Sequence, residues 1–306
     1  MDTLRIATRQ SRLALWQAEH VAQALRLHHP ELRIELVPMT TQGDRVLDRT
    51  LAQVGGKGLF IKELEVAIAA GRADIAVHSM KDVPSDLPAE MTLAAMLSRA
   101  DARDAFVSNA HSHLTALPHA ARVGTSSPRR QSQLKALRPD LQMLTLRGNV
   151  ETRLRKLDAG EYDAIVLASA GLQRLGLQQR ITSFIEPEQS LPAVGQAIIG
   201  IECRKDDERS IRYARTLEDR AARICCTAER ALAQRLEGSC QSPIAAYALL
   251  QQGMVQLEGM VGAIDGSTIF RDRIQGSAEH AEALGIALAE RLLAAGADRL
   301  LAELRG

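Results

Sequence analysis

Leu4-Arg5-Ile6-Ala7-Thr8-Arg9-Gln10-Ser11 passes from a short, mostly apolar run into a polar corner, and residues 13–27 behind it carry apolar side chains at helical spacing. This reads as a strand feeding a helix. The pattern returns as strand 34–38, helix 60–70 and strand 75–78, with Gly71 placed to end the helix. It returns again from about residue 103, where strands 105–108, 123–125, 141–146 and 164–168 alternate with helices such as 131–137 and 151–159. Such alternation implies parallel, doubly wound sheets, so the expected fold class is α/β with two similar lobes. Residues 189–201 read as an extended crossing, followed by a helical run 209–217 that returns the chain to the first lobe. Beyond residue 220 the character changes to helix 221–236, hairpin strands 245–250, 255–261 and 267–274, and a long Ala/Leu helix from Ala278. That predicts a C-terminal α+β domain with a small antiparallel sheet. The expected domains are 1–98 with 197–217, 103–192 and 220–306, with lobe movement about the crossings 98–103 and 191–201.

The 306 residues hold 38 Lys and Arg against 37 Asp and Glu, with 46% hydrophobic and 25% charged residues. This excludes a single small domain, a disordered chain and collagen. Aromatic residues are only 3%, which leaves little for a base-stacking surface and argues against nucleic acid as a partner. Residues 238–257, the longest stretch without charge, are broken by Pro243 and Gly253, so no membrane span is expected. The first residues interleave Asp2, Arg5, Arg9 and Arg12 with apolar ones, unlike a secretory signal, and the expected location is the cytoplasm. Cys203, Cys225, Cys226 and Cys240 form no C-x-x-C pair. They are expected to be thiols rather than metal ligands, with no metal site.

Charge is locally uneven. Residues 122–156 hold nine Lys and Arg against Asp140 and Glu151 alone. Within them, Val123-Gly124-Thr125-Ser126-Ser127-Pro128-Arg129-Arg130 runs from a strand into a helix, with Ser127 as N-cap and Pro128 at the first helical position. Backbone N–H groups, hydroxyls and guanidinium groups converging at such a corner bind anions, and the planar fork of Arg suits carboxylate or phosphate. Thr8-Arg9-Gln10-Ser11 repeats the arrangement. Gly55-Gly56-Lys57-Gly58 matches neither a P-loop nor a dinucleotide fingerprint. His78-Ser79-Met80-Lys81-Asp82-Val83-Pro84 follows the carboxyl end of a buried strand, where open α/β sheets bind ligands. Asp82 is read either as a turn residue ahead of Pro84 or as a carboxylate that stabilises a developing cation. Cys240 lies in the small-residue loop Gly238-Ser239-Cys240-Gln241-Ser242-Pro243, where a thiol is accessible for covalent attachment.

These segments, with Leu146-Arg147-Gly148-Asn149-Val150 and residues 191–196, resemble the porphobilinogen deaminase family in order and spacing over nearly the whole chain. The resemblance implies three domains, the first two like type 2 periplasmic binding proteins. It implies a transferase of tetrapyrrole biosynthesis that joins four porphobilinogen molecules head to tail, each losing ammonia, and releases hydroxymethylbilane with water. It further implies a dipyrromethane primer held through a thioether at Cys240, and a catalytic Asp82. Arg9, Ser11, Lys57, Ser79 and Lys81 from the first lobe would bind cofactor and substrate carboxylates. From the second, Thr125, Ser127, Arg129, Arg130, Arg147, Arg153, Arg174 and Gln196 would do the same, with Phe60 covering the reacting ring. The expected partner is porphobilinogen alone, bound by a monomer. This chain departs from the family with Arg12 for proline, Pro128 for leucine, and Ala197 and Ser239 for glycine. A competing reading is a non-enzymatic anion-binding or effector-sensing module on the same scaffold, which leaves Asp82 and Cys240 without a joint task.

Overall fold

The computed structural model describes residues 2–41, 43, 58, 61–238 and 242–303. The chain divides into two units, Met1–Ala100 with Ala197–Arg223, and Asp101–Gln196 with Ile224–Gly306.

The first unit contains strands β1 (Thr3–Arg9), β2 (Arg33–Met39), β3 (Ile75–Ser79), β4 (Met91–Met96) and, from far along the chain, β10 (Ile199–Arg204). Their order is β2-β1-β3-β10-β4. β1 pairs in parallel with β2 and β3, whereas β10 runs antiparallel to both its neighbours. The sheet is therefore mixed, where alternation alone implied a parallel one. Residues 189–201 read as a crossing because Pro192 and Gly195 interrupt the apolar run, yet its end becomes a central strand whose residues 199–203 are all buried. β4 was not expected either. The helix Arg12–His28 begins at Ser11, whose side chain accepts from the Ala14 N–H, and buries Ala14, Gln17, Ala18, Val21, Ala22 and Leu25. That stripe meets Leu4, Ile6 and Ile34 in one core. Complete burial of a side chain such as Leu25 contributes about 1.5–3 kcal/mol.

In the second unit, β5 (Asp104–Val107), β6 (Arg122–Gly124), β7 (Gln142–Leu144), β8 (Ala164–Ala168) and β9 (Ser183–Ile185) follow the order β7-β6-β8-β5-β9. β6 is parallel to β7 and β8, and β5 is antiparallel to β8 and β9. The same unit holds the antiparallel meander β11 (Ile244–Gln251), β12 (Met254–Gly262) and β13 (Ile269–Ser277). The helices Arg220–Arg235 and Ala281–Leu292 supply Leu232 and Leu288 to a core shared with Val255 and Leu257 of the sheet. The single long helix read from Ala278 is interrupted by a π-turn at Leu293–Ala297.

This small sheet meets the helix Pro128–Leu137 at very close range. A Cβ on Gly262 would stand 2.1 Å from Ser132 Oγ, and one on Gly266 (φ +76°) 2.3 Å from the Ala136 nitrogen. Only glycine permits that approach. The buried carboxylate of Glu229 adds a second tie by accepting from the N–H groups of Gly195 (2.7 Å) and Ala248 (2.8 Å).

Candidate functional site

In the first unit, β1 ends at Arg9 just before the Ser11 cap, and β3 ends at Ser79 just before a single 3₁₀ turn, Met80–Asp82. A pocket of about 50 Å³ is lined by Arg9, Ser11, Gln17, His78, Ser79 and Asp82, among others. Four residues singled out in the sequence thus share one pocket, and Asp82 is the one carboxylate among its described lining residues. Lys81 is half-buried beside it.

Two residues that hold side chains of this pocket, Gln17 and Glu202, were not legible from sequence. Gln17 is buried on the apolar stripe of its helix and donates from Nε2 to Ser79 Oγ at 2.8 Å, which fixes the hydroxyl. A polar residue on a stripe otherwise made of Ala, Val and Leu is the signal that marks it. His78 Nε2 lies 2.9 Å from Glu202 Oε2, with both side chains almost wholly buried. Their residues come from β3 and β10, 124 positions apart. Burial, reinforced by the nearby Glu202 charge, pushes the Glu65 carboxyl up from its ordinary value.

The second unit repeats the strand-corner-helix arrangement. Ser127 caps the helix Pro128–Leu137 by accepting from the Arg130 N–H, and Thr125 Oγ1 accepts from the Ser127 N–H at 3.2 Å. Arg129 and Arg130, assigned to carboxylate binding, already hold a carboxylate of the chain itself. Both side chains are turned inward onto Asp104, at 2.9 and 2.7 Å. Arg129 also donates to Leu191 O (2.6 Å), Arg130 to Val166 O (3.0 Å), and Gln196 to Ala102 O (2.6 Å) and Asp104 (3.0 Å). The physical reason is the wholly buried aspartate at the start of β5, which needs cationic partners to be tolerated there.

The same unit holds three further arginines assigned to carboxylates, Arg147, Arg153 and Arg174. Arg153 Nε donates to Gly148 O at 2.8 Å, beside the Asn149 cap of the helix Val150–Asp158. Arg147 Nη1 is buried with no acceptor among the described residues, as are the Nε atoms of Arg129 and Arg130. Burial alone pushes the Arg174 guanidinium down to about 10. Desolvated cations and unmatched buried N–H groups favour a polyanion, so the residues present fit a primer that carries several carboxylates. Lys57, Phe60 and Cys240 lie outside the described residues. The other cysteines, Cys203, Cys225 and Cys226, are buried. No group of metal-ligating side chains occurs among the described residues, and no described helix is long and apolar enough to cross a membrane.

Among solved structures, the chain is similar to a putative methionine-binding lipoprotein from Bacillus subtilis at 13% identity, covering 71% of this chain and 90% of that one, with a TM-score of 0.45. The periplasmic VFT2 domain of BvgS from Bordetella pertussis is 18% identical, with 69% and 86% covered and a TM-score of 0.41. The periplasmic aliphatic sulphonate binding protein from Escherichia coli is 15% identical, with 78% and 71% covered and a TM-score of 0.41. These likenesses are distant. The family comparison is not: residues 4–212 match the porphobilinogen deaminase dipyromethane cofactor binding domain, and residues 223–294 match the porphobilinogen deaminase C-terminal domain. With both domains matched in sequence order and Asp82 in a pocket with Arg9, Ser11 and Ser79, the chain belongs to the porphobilinogen deaminase family.

Proposed function

We propose that the chain is a hydroxymethylbilane synthase, a transferase that condenses four porphobilinogen molecules head to tail with loss of ammonia and releases the linear tetrapyrrole with water. The observation that carries the reading is the Asp82 pocket. Departure of ammonia from the aminomethyl group leaves a resonance-stabilised cation on the pyrrole, and a fixed carboxylate lowers the energy of that charge as it develops. The same carboxylate can hold the proton that the attacked ring carbon sheds once the new carbon–carbon bond has formed. Ser79, fixed by Gln17, and Arg9 and Ser11 at the facing helix start would orient the substrate's acetate and propionate groups around Asp82. Lys81 would add a cation to the same rim, with Lys57 and Phe60 as further first-unit contacts.

The dipyrromethane, when bound, supplies the free pyrrole carbon on which the product is built. Arg147, Arg153 and Arg174, with Thr125 and Ser127, are the second-unit groups assigned to its carboxylates. Arg129, Arg130 and Gln196 support that surface through Asp104, with the unmatched Nε–H groups of Arg129 and Arg130 as the remaining donors toward an anion. Cys240 is assigned as the thioether attachment point. The protein would act as a monomer in the cytoplasm, with porphobilinogen as its partner, and the three domains 1–98 with 197–217, 103–192 and 220–306 remain the proposed division.

Intact-mass measurement of denatured protein from a porphobilinogen-making host tests the assignment. The expected mass exceeds the bare polypeptide by two porphobilinogen units less two ammonia, and Cys240→Ser removes the excess. Asp82→Ala should keep the fold and lose tetrapyrrole output. A bare mass together with no tetrapyrrole output from the unsubstituted protein would defeat the reading in favour of an anion-binding module, and normal output from Asp82→Ala would defeat the role assigned to Asp82.

A further inference from the structure

A second cavity, of about 730 Å³, opens on the first unit beside the edge strand β4 and shares no described lining residue with the Asp82 pocket. Leu93, Ala94 and Ile211 give it an apolar wall. Leu93 and Ile211 are only partly covered by the protein. Ala94 is the extra residue of a β-bulge, because Ile201 pairs with Ala95 while Glu202 pairs with Leu93. Bulges of this kind re-aim side chains at the edge of a sheet.

The charged groups of the cavity are unequal in what they leave available. The one acid among its described lining residues, Glu218, has both oxygens engaged: Oε1 accepts from Arg223 Nε, and Oε2 accepts from the Met96 N–H at 2.6 Å and from Arg223 Nη2 at 3.1 Å. Arg223 Nη2 is held again by Leu93 O at 3.0 Å. These contacts make a fixed wall with no charge to spare. Lys205 and Arg215 also line the cavity; both are exposed, and neither side chain has a hydrogen bond or ion pair among the described residues. Two cations therefore border an apolar surface with no internal carboxylate left to neutralise them. The volume is in the range of about 300–1,000 Å³ that accommodates small organic ligands.

We propose that this cavity binds an amphipathic carboxylate, whose anionic head pairs with Lys205 and Arg215 while its apolar body covers Leu93 and Ile211. Arginine's planar fork selects a carboxylate head, and the apolar wall rejects one without a body. Neither the substrate site nor the primer is involved.

Titration calorimetry of the full chain with 4-phenylbutyrate tests this, with 4-phenylbutanol and acetate as probes lacking the charge or the body. Saturable binding is expected for the carboxylate, with both controls at least about tenfold weaker. Lys205→Ala combined with Arg215→Ala should weaken binding by at least about tenfold at an unchanged urea midpoint, and Asp82→Asn should leave it unaltered. The inference is overturned if no saturable binding occurs up to about 10 mM, if the double variant or the alcohol matches the parent, or if Asp82→Asn abolishes the signal, which would place the ligand in the other pocket.

Discussion

Replacement of Asp104 by Asn is the sharpest perturbation the structure offers. The carboxylate is wholly buried and accepts from Arg129 Nη2 (2.9 Å), Arg130 Nη2 (2.7 Å), Gln196 Nε2 (3.0 Å) and Ser190 Oγ (3.1 Å). Removing one partner of a buried ion pair costs about 3–5 kcal/mol. Here one anion serves two guanidinium groups that are themselves buried, so the upper end applies, about 5 kcal/mol, a large share of the ~5–15 kcal/mol that stabilises a domain. With a urea slope of about 2 kcal/mol per molar, the midpoint falls by about 2.5 M. Far-UV circular dichroism reads the loss, and the single tryptophan, Trp16 on the helix Arg12–His28, gives a separate fluorescence signal for the first unit. The pH dependence follows with its sign. Burial alone would raise the Asp104 pKa, but the charges of Arg129 and Arg130 and the hydrogen bonds from Arg130 and Gln196 outweigh it and hold the group well below the usual carboxylate range. The stabilisation is therefore complete above the unfolded value of about 3.9 and is lost as pH falls from there toward the folded value. Asp104→Asn should be less stable at neutral pH and show a flatter decline in acid. A midpoint change under about 0.5 M, or an unaltered acid profile, would refute the hub role.

Ala197, which is not glycine, adopts φ +71°. Ala197→Gly relieves about 1–2 kcal/mol of left-handed strain and loses about 0.4–1 kcal/mol through the freer unfolded chain, so the urea midpoint should rise slightly, and a fall would contradict the strain argument. Gly266→Ala forces a methyl against the Lys135–Ala136 backbone at positive φ and should cost about 2 kcal/mol or more, measured by the same unfolding curve. Ser127→Ala removes the cap of the helix Pro128–Leu137 and should cost about 1 kcal/mol, with thermal melting as the check.

What the sequence made legible was local. Ser127 and Pro128 mark their helix start because capping and a fixed φ act within one turn, and the structure uses both as read. The strands that alternate with helices were found at their centres for the same reason. What escaped depended on residues distant in the chain. Arg129 and Arg130 look like open cations until Asp104, 25 and 26 positions earlier, is brought against them. Gln17 and Glu202 carry no motif, and their roles exist only through Ser79 and His78. The start of β10 falls in the crossing read over 189–201, because no local pattern distinguishes a buried strand next to Pro192 and Gly195 from an extended linker.

The placement of β10 also dictates an order of assembly during synthesis. It lies between β3 and β4, so β4 has no partner in its own sheet until residues 199–204 exist. The second-unit sheet, by contrast, has all its strands once Ile185 has been made. A growing chain thus completes the later-encoded five-stranded sheet before the earlier one, the reverse of the usual N-terminal-first sequence of domain folding. Until then the N-terminal hundred residues carry an open strand edge, the form most exposed to mispairing with a neighbouring chain.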